Sequence, residues 1–497
     1  MSTRLDRINQ QRQQKLERLR ARGINPYPSH YHCRHTAWEA IALLEEKEAG
    51  AKKSQKVSIA GRLMAIRRMG KSAFADLRDR SGKIQLLFQD ADKFDEKYRE
   101  LFQNLDIGDI IGVEGNLLRT KSGEPTVHAD EFTLLAKSLQ PLPEKWHGLS
   151  DVDTRYRQRY LDLISNPDTK ETFKARSQVI TAIRQFLDQR GFIEVETPVL
   201  QAAAGGALAR PFITHHHSLD QDFYLRIAPE LHLKRLIVGG MDRVYELGRI
   251  FRNEGISTKH NPEFTMLESY EAYADYNNVM EMLEEMVSHV SQTVLGTTRV
   301  KFDKDTLDLK PPWPRLGLRE AVEQYSGIDF VKYPTADGLR DRMRPRMKEL
   351  GLEVDPEKNW MRLVDELLST FVEPELIKPT FLQDYPVSMS PLAKTKPGED
   401  HLVERFEAFI GGMEIANAFT ELNDPAEQRQ RFLEQRKERR TESEITETID
   451  EDYLLALEYG MPPAGGLGVG IDRLVMLLTN QPSIREVILF PQLREKT

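Results

Sequence analysis

The chain has 497 residues, more than one hydrophobic core normally organises, so we expect at least two domains. Its net charge of −8 excludes a chain that is basic throughout, but not a local basic surface for nucleic acid. No apolar run approaches the roughly 20 residues that span a bilayer, and the first residues lack the apolar core of a secretory signal. The single cysteine, Cys33, excludes an internal disulfide and a multi-cysteine zinc cluster, which favours a reducing cytoplasm.

Residues 1–56 are predicted to form a helical segment. Leu5, Ile8, Leu16 and Leu19 recur at roughly helical spacing. Seven basic residues but only two acidic ones fall within the first 22 positions. Two interpretations remain open: a solvated helix packed on its neighbour, or a helix that contacts RNA.

Residues 57–142 are predicted to form a small Greek-key barrel of the oligonucleotide-binding type. Five segments have strand character, and a helical stretch near residues 92–104 follows the third of them. Arg67 and Phe74 belong to a mixture of cationic and aromatic side chains that suits bases and phosphates. Phe74 is equally compatible with a place in the barrel core.

Prolines at 141 and 143 mark a boundary, and residues 143–170 are predicted as a linker. From residue 171 to 497 the pattern changes to longer helices and strands, which predicts a second domain. Residues 333–380 are predicted to be a mostly helical insertion without identifiable chemistry. The helices are predicted at 171–190, 277–294 and 427–447, and the strands at 192–197, 224–227, 243–251 and 264–273.

Two motifs invite interpretations that the physical chemistry disfavours. Residues 65–72 approach the phosphate-loop pattern, but the interior Arg67-Arg68-Met69 is too bulky for backbone N–H groups to wrap a phosphate. His215-His216-His217 resembles a metal-binding run, but neighbours in an extended segment point to opposite faces. A surface or packing role is the better interpretation of these histidines.

Two arginines are paired candidates for binding a triphosphate. Arg252 lies in Phe251-Arg252-Asn253-Glu254-Gly255, and Arg473 follows glycines at 466, 468 and 470. The planar guanidinium matches phosphate oxygens and stays charged, and the glycines let a strand approach a ligand closely. Arg473 is predicted to open the helix that follows.

The segment from Glu414 to Glu421 is the other dense site. Asn417, Phe419 and Glu421 share one face of a strand, whereas Glu414 falls on the opposite face unless a bulge re-aims it. A carboxylate near two arginines and a triphosphate is a natural Mg²⁺ ligand. Further acidic groups in the same cleft would repel ATP, so their excess predicts a substrate with cationic groups.

The motifs together resemble those of a known enzyme family. Residues 251–254 resemble motif 2 of class II aminoacyl-tRNA synthetases, residues 466–473 resemble motif 3, and the helix and strand ending at Pro198 resemble motif 1. The class I signatures are absent. Dispersed matches make the whole chain similar to the bacterial-type lysyl-tRNA synthetases; they lie at 155–164, 226–231 and 419–424.

This resemblance implies an α+β fold: a five-stranded N-terminal barrel that binds the anticodon, and a catalytic domain built on an antiparallel sheet flanked by helices. It also implies that the protein is a homodimer, that it uses ATP and Mg²⁺, and that L-lysine and tRNA(Lys) are its substrates. Arg252 and Arg473 would be catalytic. The nucleotide contacts would be Arg252, Glu254, His260, Asn261, Phe264, Glu414 and Arg473. The lysine contacts would be Gly206, Glu230, Arg252, Glu268, Tyr270, Asn417, Phe419 and Glu421. The anticodon contacts would be Arg67, Phe74, Gln85 and Glu124.

The same resemblance matches Glu414 and Glu421 to metal positions, so Glu421 carries two implied roles. Two other functions are compatible with the same motifs. One is an enzyme of the same subclass for aspartate or asparagine, against which the acidic pocket argues. The other is a non-catalytic RNA-binding relative, which would tolerate loss of Arg252 and Arg473. A relative that lysylates a protein would lack the barrel.

Overall fold

The computed structural model describes residues 4–50, 56–69, 72–89, 96–143, 149–203, 205–206, 209–439 and 449–495. The chain divides into two compact units, Met1–Ser150 and Asp151–Thr497. The predicted N-terminal segment lies within the first unit. Residues 151–170, predicted as part of a linker, belong to the second unit and contain two short helices. The finer four-part division remains a proposal.

The first unit is a closed five-stranded barrel with three helices among its described residues, as the sequence predicts. The strands follow the order β1-β2-β3-β5-β4 around the barrel. Its elements are α1 (Arg4–Ala21), α2 (Ala37–Glu48), β1 (Lys56–Met69), β2 (Ser72–Arg78), β3 (Lys83–Phe88), α3 (Glu96–Gln103), β4 (Ile110–Arg119) and β5 (Pro125–Ala136).

The barrel forms because alternate strand residues point inward. In β2 the buried positions are Ala73, Ala75 and Leu77, so Phe74 lies on the outer, partly exposed face. The turn between β2 and β3 falls at residues 79–82. There Asp79 Oδ1 accepts hydrogen bonds from the backbone N–H groups of Ser81 and Gly82.

Helix α1 packs on the barrel through part of its basic surface. Leu16 and Leu19 are buried, and the buried Arg12 donates hydrogen bonds to backbone oxygens of Ile107, Ser138 and Gln140. Lys15 pairs with Asp106 at 2.6 Å. The packing interpretation therefore holds for these two cations, while most of the remaining basic side chains of α1 are exposed.

The second unit combines helices with a large, mainly antiparallel sheet. Its helices are α4 (Val152–Arg157), α5 (Arg159–Ser165), α6 (Pro167–Gln189), α7 (Glu230–Val238), α8 (Tyr276–Leu295), α9 (Leu318–Ser326), α10 (Ala336–Glu349), α11 (Trp360–Leu367), α12 (Pro425–Arg439), α13 (Glu451–Glu458), α14 (Ile471–Leu478) and α15 (Ile484–Val487). Its strands are β6 (Ile193–Glu194), β7 (Leu200–Gln201), β8 (Ile213–His216), β9 (Gln221–Leu225), β10 (Arg243–Phe251), β11 (Glu263–Ala272), β12 (Arg299–Phe302), β13 (Asp305–Asp308), β14 (Arg315–Gly317), β15 (Thr380–Pro386), β16 (Thr395–Lys396), β17 (Glu399–Ile410), β18 (Met413–Thr420) and β19 (Ala464–Gly470).

The central sheet, among the described residues, has the order β14-β15-β17-β18-β19-β11-β10-β6, with β16 paired to β17. Only the pairings of β14 with β15 and of β10 with β6 are parallel. One face is covered by α6, α8 and α14, whose apolar side chains pack with inward residues of β17, β18 and β19. This arrangement confirms the predicted α+β class.

Strand β18 contains a bulge, and this bulge determines which face of the sheet Glu414 lies on. Opposite β17, Ala408 pairs with Ala416 but Phe409 pairs with Glu414, so Ile415 is the extra residue. Glu414 therefore faces the same side of the sheet as Asn417. The predicted strand at 192–197 is shorter than expected, since only Ile193–Glu194 pairs with β10. The predicted helix at 427–447 runs to Arg439, and residues 440–448 lie outside the described residues.

Candidate active site

A cavity of about 410 Å³ lies on the face of the sheet formed by β11, β18 and β19. It brings together nearly all the residues that the sequence assigns to the nucleotide and to lysine. Glu421 is the exception: it is fully buried just behind the wall made by Gly466 and Tyr270. The lining includes Gly206, Glu230, Arg252, Glu254, His260, Asn261, Phe264, Glu268, Tyr270, Glu414, Asn417, Phe419 and Arg473.

Arg252 follows the last residue of β10 and faces the adjacent strand. Its guanidinium carbon lies 5.3 Å from the centre of the Phe264 ring. Its backbone N–H donates to Pro262 at 2.8 Å, which fixes the loop between β10 and β11. Arg252 and Phe264 thus offer a cation and a ring face side by side.

Arg473, at the start of α14, contacts both the loop between β10 and β11 and strand β18. Its Nη1 donates to the backbone oxygen of Glu414 at 2.7 Å and to Glu414 Oε2 at 3.0 Å. Its Nη2 lies 3.3 Å from His260 Nε2, and His260 Nδ1 lies 2.8 Å from the Ser257 hydroxyl. Since arginine only donates, His260 Nε2 is the acceptor, which places the proton on Nδ1. Loss of solvation, followed by the Arg473 charge, lowers the pKa of His260 and keeps it neutral.

Two further nucleotide candidates shape the same loop. Asn261 is buried, and its side chain donates to the Glu263 backbone at 2.6 Å while accepting from the Gln492 backbone at 3.2 Å. Its amide therefore braces the loop. Glu254 is exposed and lines the same cavity.

The opposite end of the cavity is a buried acidic pocket. Glu230 opens α7, and Glu268 and Tyr270 project from β11; all three are buried. The Tyr270 hydroxyl donates to Glu268 Oε2 at 3.1 Å. Burial, and then the nearby Glu230 charge, raise the pKa of Glu268 to about 8. Such a pocket stabilises a cationic ligand, because a bound cation relieves the repulsion between its carboxylates.

Lys234 is a residue of this pocket that the sequence interpretation missed. It is fully buried on α7, and its Nζ lies 2.6 Å from Glu230 Oε1 and also pairs with Glu421. Burial alone lowers the pKa of Lys234, but these two carboxylates more than offset it, so the net shift is upward and Lys234 stays charged. The spacing of Glu230 and Lys234, four residues apart on one helix, was the available signal.

Gly466 and Gly206 provide space for this pocket. A Cβ at Gly466 would overlap Glu421 Oε1 and lie 2.7 Å from Tyr270 Cε1. Gly206 has φ +87°, and a Cβ there would lie 3.2 Å from Glu230 Cβ. The predicted role of the motif glycines, close approach between backbone and functional groups, therefore has a physical basis at both positions.

Arg405 and Glu407 on β17 are also functional candidates that the sequence interpretation missed. Arg405 donates to Asn417 Oδ1 at 3.1 Å and to Glu407 Oε1 at 2.6 Å. Glu407 lies opposite Asn417 and is a diagonal neighbour of Glu414 on the same face. Burial, and then the charge of Glu414, raise the pKa of Glu407 to about 7.

This geometry corrects the predicted metal pair. Glu414 and Glu421 are seven positions apart, with the extended strand β18 between them, which separates them by about 20 Å, too far for one ion. Glu421 is moreover fully buried against Lys234. The carboxylate close to Glu414 is Glu407, and two carboxylates with substrate phosphates suit Mg²⁺. Within the described ranges no group of three His, Cys, Asp or Glu side chains forms a metal site, and this includes residues 215–217.

Comparison with known proteins identifies the family. Residues 151–494 match the family described as tRNA synthetases class II (D, K and N), and residues 57–135 match an OB-fold nucleic acid binding domain. The chain is 62% identical to a lysine–tRNA ligase of Dehalococcoides mccartyi, with 98% of each chain covered. It belongs to the class II lysyl-tRNA synthetase family. It is also 57% identical to the lysine–tRNA ligase of Moorella thermoacetica and 50% identical to that of Bacillus subtilis, each covering 98% of this chain and 97% of the relative.

The barrel of this synthetase presents three of the predicted anticodon residues on adjoining strands. Arg67 pairs across the strands with Phe74, and Gln85 pairs with Asp76, two positions further along β2. Arg67 is ion-paired with Asp76 at 2.9 Å, and the Gln85 side chain accepts a hydrogen bond from Thr126. Glu124 is exposed in the turn before β5. None of the helices that the structure describes is long and apolar enough to cross a membrane.

Proposed function

We propose that this protein activates L-lysine with ATP and transfers it to the 3′ end of tRNA(Lys). The supporting observation is one cavity with Arg252 and Arg473 at one end and the buried carboxylates of Glu230 and Glu268 at the other, with Glu421 buried directly behind that end. Extensive similarity to lysine–tRNA ligases, together with the nucleic-acid-binding barrel, gives the same conclusion. The acidic pocket is unsuited to aspartate, whose side chain would face like charges.

In the first step a lysine carboxylate oxygen attacks the α-phosphorus of ATP, and the bond to the bridging oxygen breaks to release pyrophosphate. Arg252 lies between Phe264 and the acidic pocket, where one guanidinium contacts both the lysine carboxylate and the α-phosphate. Arg473, whose guanidinium donates to Glu414, binds the γ-phosphate. Catalysis then rests on positioning and charge stabilisation, with no protein nucleophile.

In the second step a ribose hydroxyl at the tRNA 3′ end attacks the acyl carbon, and AMP leaves. Phe264 supplies a ring for the adenine, and Glu254, His260 and Asn261 frame the nucleotide. Glu414 and Glu407 are the residues that would bind Mg²⁺, whose chemistry is to neutralise phosphate charge. Their proximity, and the repulsion that raises the Glu407 pKa, support this pair.

Lysine selectivity comes from the buried carboxylates. Glu230 and Glu268 bind the α-ammonium, Tyr270 and Glu421 bind the ε-ammonium, and Gly206, Asn417 and Phe419 shape the pocket. An amino acid without the ε-ammonium leaves one of the three buried negative charges uncompensated, which costs several kcal/mol. Arg67, Phe74, Gln85 and Glu124 contact the anticodon. The protein acts in the cytoplasm as a homodimer; these two assignments rest on the family alone.

The test is ATP–pyrophosphate exchange with each of the twenty amino acids, followed by charging of purified tRNA. We expect exchange with lysine and lysylation of tRNA(Lys) only. Glu421→Gln should lose lysine-dependent exchange and keep the melting temperature within a few degrees. Exchange driven by aspartate or asparagine, or none with any amino acid, contradicts the proposal, as does undiminished exchange in Glu421→Gln.

A further inference from the structure

The pocket proposed for lysine already contains an ammonium group from the chain itself. Lys234 Nζ lies 2.6 Å from Glu230 Oε1 and pairs with Glu421 Oε2. Both carboxylates are also those that the proposed function assigns to the substrate. An internal cation at this point would compete with lysine unless it leaves part of each carboxylate available.

The geometry shows that part of Glu421 is left available. Its Oε1 has no hydrogen-bond partner among the described residues, although the side chain is fully buried. Lys234 is confined on its other sides by the rings of Phe419 at 5.3 Å and Tyr453 at 6.0 Å. A fully buried carboxylate oxygen without a partner is costly unless a ligand satisfies it.

The balance of charges in the pocket also allows Lys234 and the substrate to be bound together. Glu230, Glu268 and Glu421 bring three negative charges when all are ionised. The two ammonium groups of bound lysine neutralise two of them, and Lys234 neutralises the third. Without Lys234, one carboxyl would have to remain protonated in the complex, because uncompensated buried charge is strongly unfavourable.

We propose that Lys234 is a positioning residue that keeps Glu421 ionised and oriented, and thereby makes the pocket selective for a second ammonium group. The inference rests on the proposed function and deepens it. Burial raises the pKa of Glu421, and Lys234 is the strongest influence that opposes this rise. Without Lys234 the carboxyl would take up a proton, and a neutral acid discriminates poorly between a cationic and an apolar side chain.

The first experiment is lysine-dependent ATP–pyrophosphate exchange with Lys234→Met, which keeps the length of the side chain and removes its charge. We expect the KM for lysine to rise about 100-fold or more, since a buried ion pair is broken. The KM for ATP should change less than about threefold, because Lys234 does not contact the nucleotide end. The preference for lysine over L-norleucine, which lacks the ε-ammonium, should fall by a similar factor.

A pH series separates this role from simple packing. In Lys234→Met the lysine KM should improve steeply as pH rises, because Glu421 must then lose a proton before it binds the ammonium; the wild type should show a smaller dependence. The ionisable and charged groups around Lys234 and its two carboxylate partners are Glu230, Glu268, Tyr270, Arg405, Glu421 and Tyr453.

The matched control is Arg235→Met, one residue along α7. Arg235 pairs with Asp450 and Asp452 instead of Glu230, Glu268 or Glu421, so its loss should leave the lysine KM unchanged. The double variant Lys234→Met/Glu421→Gln removes both charges. It therefore leaves no unpaired Glu421 charge in the core that could prevent folding. Lysine affinity in the two variants that contain Glu421→Gln is measured by calorimetry, because these variants are expected to lose exchange. If Lys234 acts through Glu421, the double variant loses no more lysine affinity than Glu421→Gln alone.

Three results overturn the inference: a lysine KM in Lys234→Met that is unchanged or lower, an unchanged preference over norleucine, or additive losses in the double variant. Each requires that the wild type exchanges with lysine. Absence of exchange in the wild type would instead contradict the proposed function itself.

Discussion

The two ends of the cavity solve opposite electrostatic problems. At the nucleotide end, Arg473 and Arg252 are partly accessible cations, and Arg473 is fixed by hydrogen bonds to the side chain and backbone of Glu414. At the lysine end, Glu230, Glu268 and Glu421 are buried acids compensated by one internal cation. The first end is accessible to solvent, whereas the carboxylates of the second end are buried.

The contrast in solvent exposure determines which contacts confer specificity for the substrate. Solvent screens charges at the nucleotide end, so single contacts there contribute modestly unless they act on the reacting atoms. Charges at the lysine end are unscreened, so each depends strongly on its neighbours. We therefore expect lysine-end variants to change selectivity and pH dependence, and nucleotide-end variants to change rate or ATP affinity.

The largest expected effect comes from Arg252, which lies between the two ends. Arg252→Ala should lower kcat/KM for lysine-dependent exchange by more than about 10³-fold, because its charge stabilises the reacting phosphate and aligns the carboxylate. Binding of tRNA(Lys), measured by filter retention, should stay within about twofold.

Arg249→Ala provides the matched comparison for Arg252. Arg249 is an exposed residue of β10, the strand that leads into Arg252, and its Nε lies 3.6 Å from Glu263 Oε1. We expect exchange to be retained in this variant. Comparable losses of exchange in both variants would mean that the Arg252 substitution acts by disrupting β10. The proposed contact of Arg252 with both substrates would then be contradicted.

The next largest effect should follow from filling space at the lysine end. In Gly466→Ala the new methyl group overlaps Glu421 and crowds Tyr270, so lysine-dependent exchange should fall at least about 100-fold. In Gly468→Ala the nearest atoms lie 3.7 Å or more from the added Cβ, so the melting temperature should match that of the wild type. Equal melting temperatures and equal exchange in the two variants would show that a methyl group at position 466 does not crowd Glu421 and Tyr270.

These two ends also differ in how far sequence alone predicts them. Arg252, Phe264 and Arg473 stand in contiguous motifs whose residue types state their chemistry, and the structure brings them to one cavity. The barrel and the strand at 243–251 follow from alternation and turn residues, and both were confirmed.

The parts that sequence did not predict depend on long-range register. Lys234 resembles an ordinary helix lysine until the fold brings Glu421 against it. Glu407 becomes a partner of Glu414 only through the pairing of β17 with β18 and its bulge. Periodicity assigns faces within one strand, but it does not determine which residues of two strands lie side by side.

A smaller but diagnostic effect is the pH dependence of lysine binding. The pKa of Glu268 is raised to about 8 in the free enzyme, so below pH 8 its carboxyl must lose a proton before it pairs with the α-ammonium. The Kd for lysine should therefore rise about tenfold for each pH unit below 8, with proton release upon binding, both measurable by calorimetry. ATP binding should lack this step.

Glu268→Gln is the control for the pH experiment. It should bind lysine more weakly and show no dependence on pH near 8, because the group that titrates is gone. A Kd that stays flat between pH 6 and 8 in the wild type would mean that Glu268 is ionised before lysine arrives. The contrast in pH dependence between the two ends would then disappear.

The smallest expected effect is at His260. Its neutral ring accepts from Arg473 and donates to Ser257, so His260→Ala removes one orienting hydrogen bond from a partly solvated arginine. Such a bond contributes about 1 kcal/mol, which predicts a rise of about fivefold in the KM for ATP and no change in the KM for lysine. A rise in the lysine KM of the same size would show that the two ends are coupled, because His260 contacts only the nucleotide end.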